Sequence, residues 1–370
     1  MIVACATQPA PGHFLLMTGL LRALRDRGHQ VTVLSSPAFG GFVASRGFAF
    51  RGVGRPWLAA QRAPLPFTVG ESPTAQSTDY SFAEAAIRDS FRAAADVLDD
   101  LSPDLLLREP TEFGVTFAAE RAGIAVTTVG IGFLRTGDRL MADGGSLLLR
   151  LRAEAGLPAT PDDLDALSRR RYVQTTPPSF EQVPQALTTM RAVDPDPAHA
   201  APRAPRLLVT LGTLVNRKEL LTRVLAELAR IPVDCVLAAG DRAAEIAAHA
   251  PAHVQVQPFA DLGRLAASCT ALICHGGFGS ILHAVVHGLP VTVLPYNADQ
   301  EWNAERMRAI GAGRRVGWDE LGDGALAAAV EEMHSPPPLR AARLLAAELG
   351  SMPSPDQVAD LLTAEIGATR

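Results

Sequence analysis

Residues Ala271 to Gln300 read ALICHGGFGSILHAVVHGLPVTVLPYNADQ. The order of elements in this stretch decides the fold. A short apolar run, Ala271 to Cys274, ends on His275 and a glycine-rich turn; a helix-length segment then leads to a second apolar run, PVTVLPY, which stops just before Asp299 and Gln300. Strand, helix and strand in that order imply a parallel pair with a right-handed crossover. In parallel sheets, ligands bind beyond the carboxyl ends of the strands, where loops become helix N-termini. His275, Gly276, Gly277, Phe278 and Gly279 occupy that position after the first strand, and Asp299 and Gln300 occupy it after the second. Glycine lets a phosphate approach the backbone, and the exposed N–H groups at a helix start hold negative charge. Ser280 adds a hydroxyl donor and His275 an imidazole donor. The pattern suits a diphosphate, the bland alternative being a glycine-rich turn around a packed histidine. It is neither G-x-G-x-x-G nor a P-loop ending in Lys-Ser/Thr, so a dinucleotide or ATP site has little support. The carboxylate of Asp299 and the amide of Gln300 suit a polyhydroxylated ligand, although an Asp-Gln pair in a loop is commonly solvated surface.

The same alternation extends outward in both directions. After the segment VDPDPAHAAPRAPR (Val193 to Arg206), rich in proline, come strands RLLVTLGT, VDCVLAAG and HVQVQPF with helices between them, the first helix running from about Lys218 to Arg230. Before it, strand Ile2–Ala6, a Pro/Gly turn, a helix with Leu15, Leu16, Leu20, Leu21 and Leu24 at helical spacing, and strand QVTVLSS form another βαβ unit. Gly28 stands at that helix's end. A further unit follows at PDLLLREP, a helix around Glu112 to Arg121, and IAVTTVG. Two α/β domains result: residues 1–192, a linker at 193–206, and residues 207–350. Residues 351–370 form a terminal helix, N-capped by Ser354 and able to pack on either domain, the N-terminal one included. Residues 52 to 80 read as an exposed loop, and 137 to 190 as helical and irregular.

Composition narrows the function classes. The chain has 370 residues, 48% of them apolar and 20% charged, with a net charge of -5. Nucleic acid is an improbable partner for a chain without clustered Lys and Arg. No apolar run approaches the ~18 residues of a membrane span, and no signal peptide precedes the first strand, so a cytoplasmic protein is expected. Cys5, Cys235, Cys269 and Cys274 lack metal-ligand spacing and read as reduced packing residues. His283 and His287 stand four apart on a helix, but Ala284 follows His283 where a zinc peptidase has Glu, and no third ligand is evident.

Residues Val256 to Val316 resemble the donor-binding signature of glycosyltransferase family 1, nucleotide-sugar enzymes of the GT-B fold, and are closest to the bacterial natural-product members, actinobacterial ones in particular. Both the His-Gly-Gly and the Asp-Gln elements stand at the family's separation. PGHFLLMTGLLRALRDRGHQVTVLSS is similar to the family's opening unit and LLVTLGT to the start of its donor domain. The resemblance implies two Rossmann-like domains facing a cleft, acceptor on the N-terminal side and donor on the C-terminal side. It implies that His275, Gly277, Ser280 and Thr213 bind the diphosphate, that Asp299 and Gln300 hold sugar hydroxyls, and that Phe259 lies near the nucleobase. The Trp-x-Pro-Gln of plant relatives is absent. His13 takes the place of the family's catalytic base, an imidazole able to remove the acceptor's proton near neutral pH. Leu16 replaces a proline common three residues after that histidine. Glu109 is the nearest candidate for the acid that orients His13, with Glu112 behind it.

The expectation is an inverting transferase that moves a sugar, by analogy a deoxysugar, from a nucleotide donor, TDP in preference to UDP, to a hydroxyl of a small hydrophobic aglycone. No cofactor or metal is called for, and a homodimer is compatible with the reading. The competing expectations are a non-catalytic helper that binds sugar nucleotides and a nucleotide-sugar epimerase of the same fold.

Overall fold

Two parallel sheets with the same strand order organise the chain. The computed structural model describes residues 1–56, 58, 84–132, 144–169, 171–183, 186–193, 204–212, 218–258, 261–296 and 299–368. The loop expected at 52 to 80 and the linker at 193–206 fall largely outside these residues.

The N-terminal sheet comprises β1 (Ile2–Ala6), β2 (Gln30–Ser35), β3 (Ala49–Gly52), β4 (Leu105–Arg108), β5 (Ala125–Val129), β6 (Tyr172–Gln174) and β7 (Thr188–Thr189), in the order β3-β2-β1-β4-β5-β6-β7. Its helices are α1 (Pro11–Asp26), α2 (Gly40–Ala44), α3 (Glu84–Leu101), α4 (Gly114–Arg121), α5 (Ser146–Glu154) and α6 (Pro161–Arg169). The C-terminal sheet comprises β8 (Arg206–Thr210), β9 (Asp234–Ala238), β10 (Val254–Gln257), β11 (Ala271–Cys274), β12 (Val291–Val293) and β13 (Gly313–Arg315), in the order β10-β9-β8-β11-β12-β13. With it go α7 (Lys218–Leu228), α8 (Ala243–Ala247), α9 (Leu262–Ala266), α10 (Phe278–Val286), α11 (Gln300–Ile310), α12 (Ala325–Met333), α13 (Pro336–Ser351) and α14 (Pro355–Ala368). In each sheet the chain order reverses between its first and fourth strands, at β1/β4 and at β8/β11, and such switch points are where doubly wound sheets bind ligands.

The strands are apolar on both faces because helices cover both. Val3, Cys5, Leu105 and Leu107 pack with Phe14, Met17, Leu20 and Leu24 of α1, while Ala4, Ala6 and Leu106 pack with Ala94 and Leu98 of α3 and Val115 of α4. The second sheet repeats the device. Leu208, Leu272 and Cys274 join Ile281, Leu282 and Val285 of α10, and Leu207, Val209 and Ile273 join Leu221, Val224 and Leu228 of α7. All four cysteines are free and buried, as expected of packing residues.

Four strands, β3, β6, β7 and β13, go beyond the sequence reading, and the region from 137 to 190 contains two of them. Each is four residues or fewer and, unlike the equally short β4, β11 and β12, lies in no apolar run that would mark it in the sequence. The helix expected from Glu112 begins at Gly114, and Glu112 instead caps it.

The terminal helix α14 packs on α1 of the N-terminal domain. Ser354 and Gln357 form a reciprocal capping box at its start. Arg27 pairs with Asp356 and Asp360, each at 2.6 Å. A Cβ on Gly19 of α1 would lie 3.1 Å from Pro355, so glycine permits the close seat.

Candidate functional site

Both predicted clusters lie at the switch points. On the N-terminal side, β1 ends at Ala6 and α1 begins at Pro11, whose fixed φ suits a first helical position. His13 therefore lies in the first turn of α1, above β1. Glu109 directly follows β4, the neighbouring strand, and has no accessible surface. Its carboxylate accepts from the backbone N–H of Gln8 at 3.1 Å and of Thr111 at 2.6 Å, and from the Thr111 hydroxyl at 2.8 Å. His13 Nδ1 stands 3.3 Å from Glu109 Oε1, with its side chain 31% exposed. Nδ1 is thus held by the carboxylate, and Nε2 is the nitrogen able to meet a substrate.

The electrostatics separate the two candidate acids. Burial pushes Glu109 up, but His13 and the Thr111 donors more than offset it and hold the carboxyl below its ordinary range. Burial also pushes Glu112 up, here to about 7, against the helix N–H groups of Val115 and Thr116 that it accepts from. The structure thus joins Glu109 to His13 and gives Glu112 to α4. Arg108, fully buried, donates to the carbonyls of Glu109 at 3.1 Å and Pro110 at 2.5 Å, and so fixes the turn that carries Glu109. A small recess of about 20 Å³ lies beyond the carboxyl ends of β1, β2 and β3, lined by Thr7, Gln8, Ser36, Arg55, Ile87 and Glu112 among others.

On the C-terminal side, β11 ends at Cys274 and His275 follows. The ring is held between two glycines: a Cβ on Gly212 would come within 2.5 Å of its Cε1, and one on Gly277 within 2.5 Å of its Nε2. Gly212 also has φ +72, a left-handed conformation that favours glycine. Nδ1 is buried without a hydrogen-bond partner. Burial pushes His275 down to about 4, so the imidazole is neutral at pH 7. Helix α10 starts at Phe278 with Gly277 as its N-cap, and a Cβ on Gly279 would meet nothing within 4 Å. Open space therefore faces the start of a helix whose dipole favours an anion. Ser280 is buried just inside that helix.

Asp299 is the N-cap of α11, one strand over. Gln300 is 5% exposed and its Oε1 accepts from the Tyr296 N–H at 2.8 Å, which shapes the loop between β12 and α11. The side chain of Phe278 has a role that its place in the motif does not suggest. It is buried against Phe180 of the N-terminal domain, with ring centroids 5.7 Å apart, so only its backbone N–H is left for a donor. Thr213 and Phe259 lie outside the described residues. No group of three or more His, Cys, Asp or Glu among the described residues could hold a metal ion, and His283 and His287 form none.

The two clusters face one another. Gly132, beyond the carboxyl end of β5, comes so close to the C-terminal domain that a Cβ on it would lie 3.1 Å from Phe278 Cβ and 3.5 Å from Asp299 Oδ2. Phe180 also meets Trp302 of α11 at 5.5 Å, and Arg306 donates to the carbonyls of Phe180 and Ser179 at 2.7 and 2.9 Å. These contacts place the carboxyl ends of both sheets on one interdomain cleft, with the His13–Glu109 pair on one wall and the glycine turn at the start of α10 on the other.

Sequence reasoning passed over several residues of this arrangement. Gly212 was legible within LLVTLGT, and Asn303 stands one helical turn after Asp299, a spacing that puts side chains side by side. Phe180, Arg306 and Gly132 carried no local signal, since only the packed domains bring them to the site.

Comparison with known proteins gives the same family. A model described as "Erythromycin biosynthesis protein CIII-like, C-terminal domain" matches residues 222–364. The chain is 32% identical to the L-demethylnoviosyl transferase of Streptomyces niveus over 96% of both chains. This chain belongs to glycosyltransferase family 1. The glycosyltransferase is also 29% identical to elloramycin glycosyltransferase ElmGT of Streptomyces olivaceus, over 96% of this chain and 94% of that one. Its GT-B fold matches the glycosyltransferase SsfS6 of Streptomyces sp. SF2575, complexed with thymidine diphosphate, with a TM-score of 0.78 at 23% identity, covering 98% of this chain and 99% of that one. Membership makes it a nucleotide-sugar-dependent transferase of the natural-product type, and the helper and epimerase alternatives fall away. No helix among the described residues is long and apolar enough to cross a membrane.

Proposed function

We propose that this glycosyltransferase moves a deoxysugar from a TDP-sugar to a hydroxyl of a small natural-product aglycone, with inversion and with His13 as general base. The observation that carries the reading is the His13–Glu109 pair on the wall opposite the His275 cradle. The aglycone would bind on the N-terminal wall of the interdomain cleft, beside His13. His13 Nε2 takes the acceptor's proton as its oxygen bonds to the anomeric carbon. The bond from that carbon to the diphosphate oxygen breaks, and TDP leaves with the electron pair. Glu109 keeps the proton of neutral His13 on Nδ1 and stabilises the imidazolium that forms, as an orienting carboxylate does in other His-based mechanisms.

The leaving charge falls on fixed donors: the free N–H groups of α10, the Ser280 hydroxyl and His275. The expected chemistry therefore needs no resident metal, and turnover should survive EDTA. Thymidine is preferred to uridine because SsfS6, a structural match, is complexed with thymidine diphosphate. The preference for a deoxysugar follows the L-demethylnoviosyl transferase, whose name states the transfer of a modified sugar.

The test is a transfer assay with TDP- and UDP-sugars against a panel of aromatic and macrolide aglycones, with the product's anomeric configuration read by NMR. His13→Ala should lower kcat by about 10²- to 10⁴-fold, the usual contribution of a general base, while TDP still raises the melting temperature. Retained configuration, or full turnover by His13→Ala, rejects the mechanism. A response to UDP alone rejects the thymidine donor.

A further inference from the structure

We propose that Asn303 is a positioning residue that aims Asp299 at the sugar of the donor, so that recognition of the sugar depends on it more than recognition of the diphosphate does. The inference rests on the reading of Asp299 as the residue that holds donor-sugar hydroxyls. Asn303 lies in the first turns of α11 and has no accessible surface. Its amide nitrogen donates to the Gly276 carbonyl at 2.8 Å and to Asp299 Oδ2 at 2.8 Å. Both partners are acceptors, so only the nitrogen end of the amide can face them, and the orientation of the side chain is determined. One residue therefore spends both of its N–H groups joining the turn after β11 to the carboxylate after β12.

The surroundings make this clip rigid. A Cβ on Gly276 would meet Val293 Cγ1 at 2.7 Å and the Gln300 carbonyl at 3.0 Å, so the glycine turn rests directly on the start of α11. The Asn303 backbone N–H also donates to the Asp299 carbonyl at 2.9 Å. A short carboxylate at a helix start has several rotamers open to it, and a charge-assisted bond from a buried, immobile donor selects one. The remaining amide oxygen, Asn303 Oδ1, is buried without a partner, an unfavourable arrangement that an apolar side chain of similar size would avoid. What the amide provides and an apolar residue does not is the donor to Asp299.

The test measures binding of TDP, TDP-glucose and TDP-L-rhamnose by calorimetry and takes the ratio of each TDP-sugar dissociation constant to that of TDP. Asn303→Ala should raise the ratio by about tenfold to a hundredfold, the range for a hydrogen bond to a charged group, with the TDP constant little changed. Asp299→Ala should do the same, and the double variant should do no more, since two residues acting through one interaction are not additive. Asn303→Ser, which keeps one donor, should recover part of the loss. It also carries the test if the alanine variant fails to fold, as judged by its melting temperature without ligand. An unchanged ratio in Asn303→Ala and Asn303→Ser, with a raised one in Asp299→Ala, overturns the inference. An equal loss of TDP and TDP-sugar affinity also overturns it, since Asn303 would then serve only the turn. An unchanged ratio in Asp299→Ala removes the reading of Asp299 itself.

Discussion

The walls of the cleft are built on the same strand order, yet they place their chemistry differently. The N-terminal wall relies on side chains: a buried carboxylate, its three donors, and the histidine it holds. The C-terminal wall relies on the main chain, with three glycines, a helix start and a neutral imidazole kept in place by the absence of neighbouring Cβ atoms. A side-chain site is broken by altering a few atoms, and a main-chain site is broken by adding one.

The largest effect expected from this contrast comes from the N-terminal wall. Glu109→Gln keeps the shape of the side chain but removes the charge that, in the proposed mechanism, stabilises imidazolium, and its amide can turn an N–H toward His13 Nδ1, favouring the wrong tautomer. The fall in kcat should reach the order of 10²- to 10⁴-fold, the upper figure being that of an orienting aspartate in serine proteases changed to an amide. TDP binding, read by thermal shift, should be unaffected. Equal losses in turnover and TDP affinity would mean that the two walls are not separable.

The C-terminal wall should respond to a gained methyl group. Gly212→Ala places a Cβ about where the His275 ring stands and demands φ +72 of a non-glycine residue. Strain of that kind is about 1–3 kcal/mol, so TDP should bind about tenfold to a hundredfold more weakly, with the acceptor's KM unchanged. Gly279→Ala is the control inside the same turn, because its Cβ meets nothing within 4 Å of protein. If Gly279→Ala weakens TDP and leaves the melting temperature alone, the open space at the start of α10 is where the diphosphate lies. Equal TDP affinity in wild type and Gly212→Ala would show that His275 does not hold the diphosphate.

The same contrast explains what could be read from the sequence. His13, His275, Asp299 and the glycines around His275 are legible because each lies in the loop or first helical turn that follows a strand, and a parallel sheet brings those ends together. Glu109 could be named but not separated from Glu112, because both stand in one short turn after β4; the choice turns on which carboxylate accepts from Thr111 and which from the start of α4. Phe180 and Arg306 were beyond reach. They sit in an irregular segment after β6 and in the second half of α11, and acquire meaning only when the domains pack. The short strands β6 and β7 escaped for a related reason: no apolar run surrounds them, and their pairing is set by the sheet they extend.

The smallest expected effect concerns pH, where the two walls should pull in opposite directions. Burial leaves His275 neutral in the fold, with a value of about 4 against an ordinary 6.5. Between those values the unfolded chain binds the proton and the folded chain does not, so this group makes stability rise with pH from about 4 to 6.5. Glu112 is the reverse case, about 7 in the fold against an ordinary 4.5. From about 4.5 to 7 the folded chain keeps a proton that the unfolded chain has lost, so this group makes stability fall as pH rises. The windows overlap almost completely, and in the wild type the two slopes largely cancel. Removing either should uncover the other. Relative to wild type at each pH, denaturant-derived stability of His275→Gln should decline from pH 5 to 6.5, and that of Glu112→Gln should climb, each by no more than about 1.4 kcal/mol per pH unit for a single proton. Parallel slopes in the two variants would mean that one of these groups is not buried in the protonation state assigned to it. A flat difference for His275→Gln would place its ring in water, and with it the glycine-walled cradle would lose its reason for excluding Cβ atoms.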